Sequence, residues 1–165
     1  MSISREVLAK YVRDGDIFIE CGSRWGDTLM RAVECGAHAH GCELDPMLAG
    51  IGEKHVSEAF NGKKVIDIRC QDSVYYLRSW ISTPPNAQLV VFLDAHTETE
   101  SPVIQELNVI AQWMTKPKTI LIDDMRLMPH WKIETGTIYT MLGDMGYKLS
   151  REPGVVPDDI LVAQL

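Results

Sequence analysis

The sequence predicts an α/β protein with a doubly wound, mostly parallel sheet of about seven strands that ends in a C-terminal antiparallel hairpin. Three observations carry this. Short apolar runs alternate with helical spacings along the whole chain, the pattern of strands joined by right-handed helical crossovers. The runs QLVVFLD (88–94) and KTILID (118–123) are apolar without strict alternation, as in strands covered on both faces. The last two strands, near YKLS (147–150) and DILVAQ (159–164), are joined by EPGVVPDD (152–159). That link is shorter than the dozen or so residues a parallel crossover takes, so the final pair must run antiparallel.

The elements follow in order. ISREVLAKYV (3–12) has helical spacing, with Ile3, Val7, Leu8 and Tyr11 on one side. DIFIEC (16–21) is a compact apolar strand, and a helix runs from Trp25 to Glu34 with Gly36 as its stop. AHAHGCEL (37–44) is a second strand. Pro46 opens a helix to about Phe60, and Asn61-Gly62 ends it. KVIDIRC (64–70) alternates as a strand. A short helix from Ser73 to Trp80 is broken before Pro84-Pro85. After the strand at 88–94, helices at Pro102–Met114 and Glu134–Met145 flank the strand at 118–123.

A chain of 165 residues suits one domain spanning 1–165, with a core large enough to fold without disulfides or metal. The net charge of −7 argues against binding a nucleic-acid backbone, which takes clustered Lys and Arg. No apolar run is long enough to span a bilayer, and no signal peptide is read, so no membrane partner is expected. Cys21, Cys35, Cys42 and Cys70 form no CxxC pair, which fits a reduced, cytoplasmic protein.

Ligands in open α/β sheets bind at the carboxyl ends of the strands. Acidic residues collect there: Glu20, Glu43, Asp72, Asp94 and the pair Asp123-Asp124. Helix capping accounts for Asp72 or Ser73. It does not account for Asp94, whose following helix begins near Ser101, or for two adjacent aspartates with no helix directly after them. Carboxylates gathered in this way repel one another and call for a metal or a cationic ligand. In IFIECGSRWGDT (17–28), Gly22 stands where the strand must turn sharply, and Gly26 where backbone approaches a ligand or packs helix on strand. Glu43, about twenty residues on, suits the two hydroxyls of a ribose. No G-x-G-x-x-G or G-x-x-x-x-G-K-[ST] is present, which argues against dinucleotide and triphosphate loops.

Taken together, these stretches resemble the class I S-adenosylmethionine-dependent methyltransferases, whose fold is Rossmann-like and seven-stranded with a reversed last strand. IECGSRWGDT (19–28) is similar to the family's first loop. The resemblance implies that Glu20, Cys21, Gly22, Ser23, Gly26 and Thr28 hold the methionine and ribose parts of the cofactor. GCELD (41–45) gives Glu43 the ribose, CQDS (70–73) gives Asp72 and Ser73 the adenine, and Asp94 would border the cofactor as well. VFLDAH (91–96) and ILIDDM (120–125) resemble the divalent-metal-dependent O-methyltransferases, implying Mg²⁺ on Asp94, Asp123 and Asp124. His96 takes the place of the base in the sugar-modifying branch. No lysine follows Asp94 before Lys116, unlike the catechol type.

The function expected is therefore magnesium-dependent O-methylation of a hydroxylated small molecule. The chain carries no sizeable insert over the site, so an oligomer partner closes it, the substrate is large, or it stays open. His130, Trp131 and Lys132 are candidate substrate contacts, Trp131 equally a packing residue. Two alternatives stand: a cofactor-binding protein of the same fold without metal-dependent catalysis, and a phosphoryl-transfer enzyme for which Arg126 is the nearest phosphate-binding cation.

Overall fold

The computed structural model describes residues 3–60 and 66–165. Within them, seven strands form one sheet: β1 (Ile17–Cys21), β2 (His38–Glu43), β3 (Ile66–Cys70), β4 (Leu89–Leu93), β5 (Thr119–Ile122), β6 (Lys148–Glu152) and β7 (Ile160–Gln164). Their spatial order is β3-β2-β1-β4-β5-β7-β6. The first five run parallel, while β7 pairs antiparallel with both β5 and β6. The expected fold class, including the terminal hairpin, is the observed one. The Asn61-Gly62 stop and the start of the strand expected at 64 lie outside the described residues.

The sheet is covered on both faces, and β4 shows how. Side chains alternate across a strand. Val91 and Leu93 enter one core with Leu77, Leu107 and Leu142. Val90 and Phe92 enter the other with Leu8, Leu29 and Val56. Helices α1 (Arg5–Tyr11), α2 (Asp27–Glu34) and α3 (Pro46–Ala59) thus serve one face; α4 (Ser73–Arg78), α5 (Val103–Ile110) and α6 (Thr135–Asp144) serve the other. Each fully buried Leu, Ile or Phe contributes about 1.5–3 kcal/mol.

Helix boundaries are set by local chemistry. Asp45 caps α3, its Oδ1 accepting from Met47 N at 2.7 Å and Leu48 N at 3.2 Å, with Pro46 in the first turn. α2 begins at Asp27 rather than Trp25, because Gly26 is left-handed (φ 79°). α5 stops at Ile110, short of the expected Met114. The chain leaves the helix so that Trp113 Nε1 can donate to Leu77 O at 3.1 Å and Met114 N to Ile81 O at 3.0 Å. Both oxygens of Asp16 accept from Lys118 Nζ (2.7 and 2.6 Å), which ties the approach to β1 to the approach to β5.

β1 lies between β2 and β4, so the connections leaving its two sides run in opposite directions and a crevice opens at their carboxyl ends. The outer strands are partly open to solvent: Lys148, Leu149 and Ser150 of β6 and Arg69 and Cys70 of β3 are exposed. No helix among the described residues is long and apolar enough to cross a membrane.

Candidate functional site

A cavity of about 600 Å³ opens at that crevice. Of the residues singled out in the sequence, Glu20, Gly22, Ser23, Thr28, Glu43, Asp72, Ser73, Asp94, His96 and Asp124 line it. Cys21, Gly26 and Asp123 do not line it.

The first turn is built by backbone. Gly22 has φ 84°, and a Cβ there would stand 2.6 Å from Asp94 O, so only glycine lets the β1 turn lie against the end of β4. Gly22 N and Ser23 N both donate to Cys42 O, at 3.0 and 2.9 Å, binding the turn to β2. The Ser23 hydroxyl fills the space that Gly41 leaves empty: a Cβ on Gly41 would be 2.0 Å from Ser23 Oγ. Cys21, expected at the cofactor, is spent on the sheet. Its carbonyl accepts from Asp94 N at 3.0 Å, and its thiol is buried next to Cys42. At Gly26, where ligand approach and helix packing were both open, the packing is seen: a Cβ on it would meet Val56 Cγ2 at 2.7 Å.

Glu43 joins the first two loops. Its Oε2 accepts from Arg24 N at 2.9 Å and its Oε1 from Asp45 N at 3.0 Å. Each oxygen keeps a second lone pair for a ligand hydroxyl. Asp72 caps α4 through Tyr75 N at 2.9 Å and stays exposed at the rim, with buried Ser73 behind it. On the cavity wall Glu20 is 2 % exposed, and its Oε2 has no partner among the described residues. Burial pushes its pKa up to about 8, although the Thr28 hydroxyl pulls the other way. A glycine cradle, a carboxylate with free lone pairs and an unpartnered buried oxygen are the features a ribose- and amine-bearing cofactor would use.

The metal expectation is met differently. Asp94, Asp123 and Asp124 do not form one ligand set. Asp94 and Asp124 converge with His96, whereas Asp123 and Asp124 converge with Asp159; within each trio the ligand atoms lie within 4.8 Å of one another. Asp124 is left-handed (φ 54°, ψ 34°), its N–H turns back to Asp123 Oδ1 at 2.8 Å, and its carboxylate belongs to both trios, whereas that of Asp123 belongs to the second alone. Both oxygens of Asp124 are engaged: Oδ1 with Arg126 Nη1 at 2.6 Å, Oδ2 with His96 Nε2 at 3.3 Å. The residues present therefore do not fit a magnesium ion held by three aspartates.

Asp94 is held well above the usual carboxylate range by burial and then by Asp123 and Glu20. The bond to His96 holds Asp124 below that range, and the same bond raises the His96 imidazole. His96 Nδ1 donates to Thr97 O at 3.2 Å, so both ring nitrogens face acceptors. The ring also lies 5.0 Å from that of Trp131, which is buried under the loop. His130 reaches the other way, its Nε2 donating to Glu98 O at 2.8 Å and tying the 97–102 segment to the 126–132 segment.

Asp159 and Glu106 were not singled out in the sequence. Asp159 precedes β7, which starts beside the end of β5 (Ile122 pairs with Leu161), so the inferred hairpin did hold the signal that it joins this rim. Glu106 is wholly buried on α5 beside Ser73 and Cys21, and burial puts its pKa at about 7. Its helical spacing alone marks it only as polar.

No family model matches the chain, and no curated protein matches it in sequence. Solved structures do match. A magnesium protoporphyrin IX methyltransferase from Synechocystis PCC 6803 with bound SAM is 14% identical; the match covers 92% of this chain and 70% of that one, with a TM-score of 0.65. A precorrin-6y C5,15-methyltransferase from Geobacter metallireducens GS-15 is 13% identical over 98% and 87% of the two chains, at 0.69. A putative methyltransferase from Streptococcus mutans in complex with SAH is 9% identical over 97% and 94%, at 0.67. At these identities the likeness is one of fold: the chain has the seven-stranded fold of S-adenosylmethionine-dependent class I methyltransferases.

Proposed function

We propose that this protein is an S-adenosylmethionine-dependent methyltransferase acting on a hydroxyl group of a small molecule. The observation that carries the reading is the cavity at the switch point. It is walled by the Gly22 turn, Glu43 and Asp72, three features that belong to three successive strand ends. Neighbours of the same fold that bind SAM or SAH support it. Bound there, the cofactor would supply an electrophilic methyl group.

The chain's own residues set the rest. Glu43 receives hydroxyls, Asp72 and Ser73 border the base, and Glu20 offers its oxygen to an amine. The acceptor would enter between Asp94, His96, Thr97 and Glu100, all on the cavity wall. There His96 keeps its Nε2–H on Asp124, and its deprotonated Nδ1, on leaving Thr97 O, takes the hydroxyl proton, so transfer speeds up as pH rises through the raised pKa of the ring. Magnesium has no part in this reading, because Asp124 is already engaged on both oxygens. Small acceptors rather than a nucleic-acid backbone, a cytoplasmic setting and a homo-oligomer that roofs the cavity go with the proposal.

Calorimetric titration of S-adenosylmethionine tests it. Saturable binding that Glu43→Gln weakens is expected. No binding by the folded protein would remove the functional reading and leave the fold.

A further inference from the structure

Three carboxylates converge behind the cavity. Asp123, Asp124 and Asp159 are 2, 8 and 2 % exposed, and their ligand oxygens lie within 4.8 Å of one another. Such a group repels itself and calls for positive charge. The chain supplies it two residues after Asp124. Arg126 Nη1 stands 2.6 Å from Asp124 Oδ1 and forms a second ion pair with Asp159 Oδ2, whose side chain is fully buried. The backbone seats the arginine: Arg126 N donates to Asp159 Oδ1 at 3.2 Å and Met125 N to Asp159 O at 3.0 Å. Both backbone donors fall in the 3-10 turn Met125–Leu127, which starts directly after Asp124.

We propose that Arg126 occupies the place a divalent cation would take, so that the native protein binds no divalent cation at this cluster and Asp124 serves to position His96. The guanidinium stays charged at every working pH. A small hard cation would need the same oxygens at about 2.0–2.1 Å in near-octahedral array, and would first have to expel the arginine. The inference does not rest on the methyltransferase reading, since neither cofactor nor acceptor enters its test.

The probe is Mn²⁺, followed by loss of the free-ion signal in electron paramagnetic resonance and by calorimetry. Native protein and Arg126→Lys should leave Mn²⁺ free. Arg126→Gln, which keeps most of the side-chain volume, and Arg126→Ala should each gain one site, at least about tenfold tighter than any native uptake. Adding Asp159→Asn to either variant should abolish that site, since Asp159 belongs to this cluster and not to the one with His96. Circular dichroism shows which variants fold, and Arg126→Gln decides if Arg126→Ala does not fold. Native uptake of one Mn²⁺ that Asp159→Asn removes would overturn the proposal. So would a folded Arg126→Gln that gains no site.

Discussion

His96 Nε2 lies 3.3 Å from Asp124 Oδ2, and this contact is the largest cause of the raised imidazole pKa. Asp124→Asn replaces an anion by a neutral amide and should bring the His96 pKa down toward its ordinary 6.5. A ring-proton NMR titration reads this directly. With an acceptor in hand, the rising limb of the pH–rate profile should move to lower pH with it. An unchanged His96 titration would mean that Asp124 does not govern the ring.

Gly22→Ala should harm both fold and site. At φ 84° the new Cβ would stand 2.6 Å from Asp94 O, so strain and collision act together. Left-handed strain alone costs about 1–3 kcal/mol. The midpoint of urea unfolding should fall accordingly, and calorimetric S-adenosylmethionine binding should be lost even in the fraction that folds.

Glu43 does two jobs that two substitutions separate. Glu43→Ala removes the acceptor for both Arg24 N and Asp45 N, loosening two loops and lowering stability. Glu43→Gln keeps one acceptor oxygen and removes the charge. Hydrogen bonds to charged groups are worth about 1.5–3 kcal/mol, so cofactor affinity should drop by about ten- to a hundredfold in the Gln variant. Affinity equal to that of the native protein would detach Glu43 from the ribose.

Stability should fall as pH rises through the range set by Glu20. Burial lifts its pKa from 4.5 to about 8, so between those values the native state keeps a proton that the unfolded chain has lost. The unfolded state then binds fewer protons, and stability decreases with pH across the window, by an amount on the order of a few kcal/mol. Glu106, raised by burial to about 7, adds a narrower fall of the same sign. Urea midpoints measured at several pH values check this. Glu20→Gln should flatten the slope, and an equally steep slope in that variant would contradict the assignment.

The alternation of elements was legible because a strand covered on both faces writes an apolar run, as in β4 and β5, and because Pro46 and Asp45 announce a helix start. The rim was legible because parallel strands end on one side. The pairing of carboxylates across that rim was harder to read. Asp123 and Asp124 are neighbours in sequence and both meet Asp159, yet only Asp124, left-handed between strand and turn, also meets Asp94 and His96. The partner that decides the matter, Asp159, lies 33 residues from Arg126 and reaches it through an antiparallel strand. Cys21 and Gly26, expected at the cofactor by resemblance to a loop motif, do not line the cavity, since such a motif does not tell which of its members face inward. Their burial follows from strand alternation at Cys21 and from the seat of α3 against Gly26.

The margins of the sheet bear on how copies of this chain can meet. β6 carries Lys148, Arg151 and Glu152, with Glu152 gripped by Lys10 Nζ at 2.9 and 2.7 Å, and β3 carries the Arg69–Asp67 pair at 3.1 Å. An incoming strand would have to strip water from these charges before gaining any ladder of hydrogen bonds. Among the described residues, both edges thus resist lengthening by a neighbouring strand.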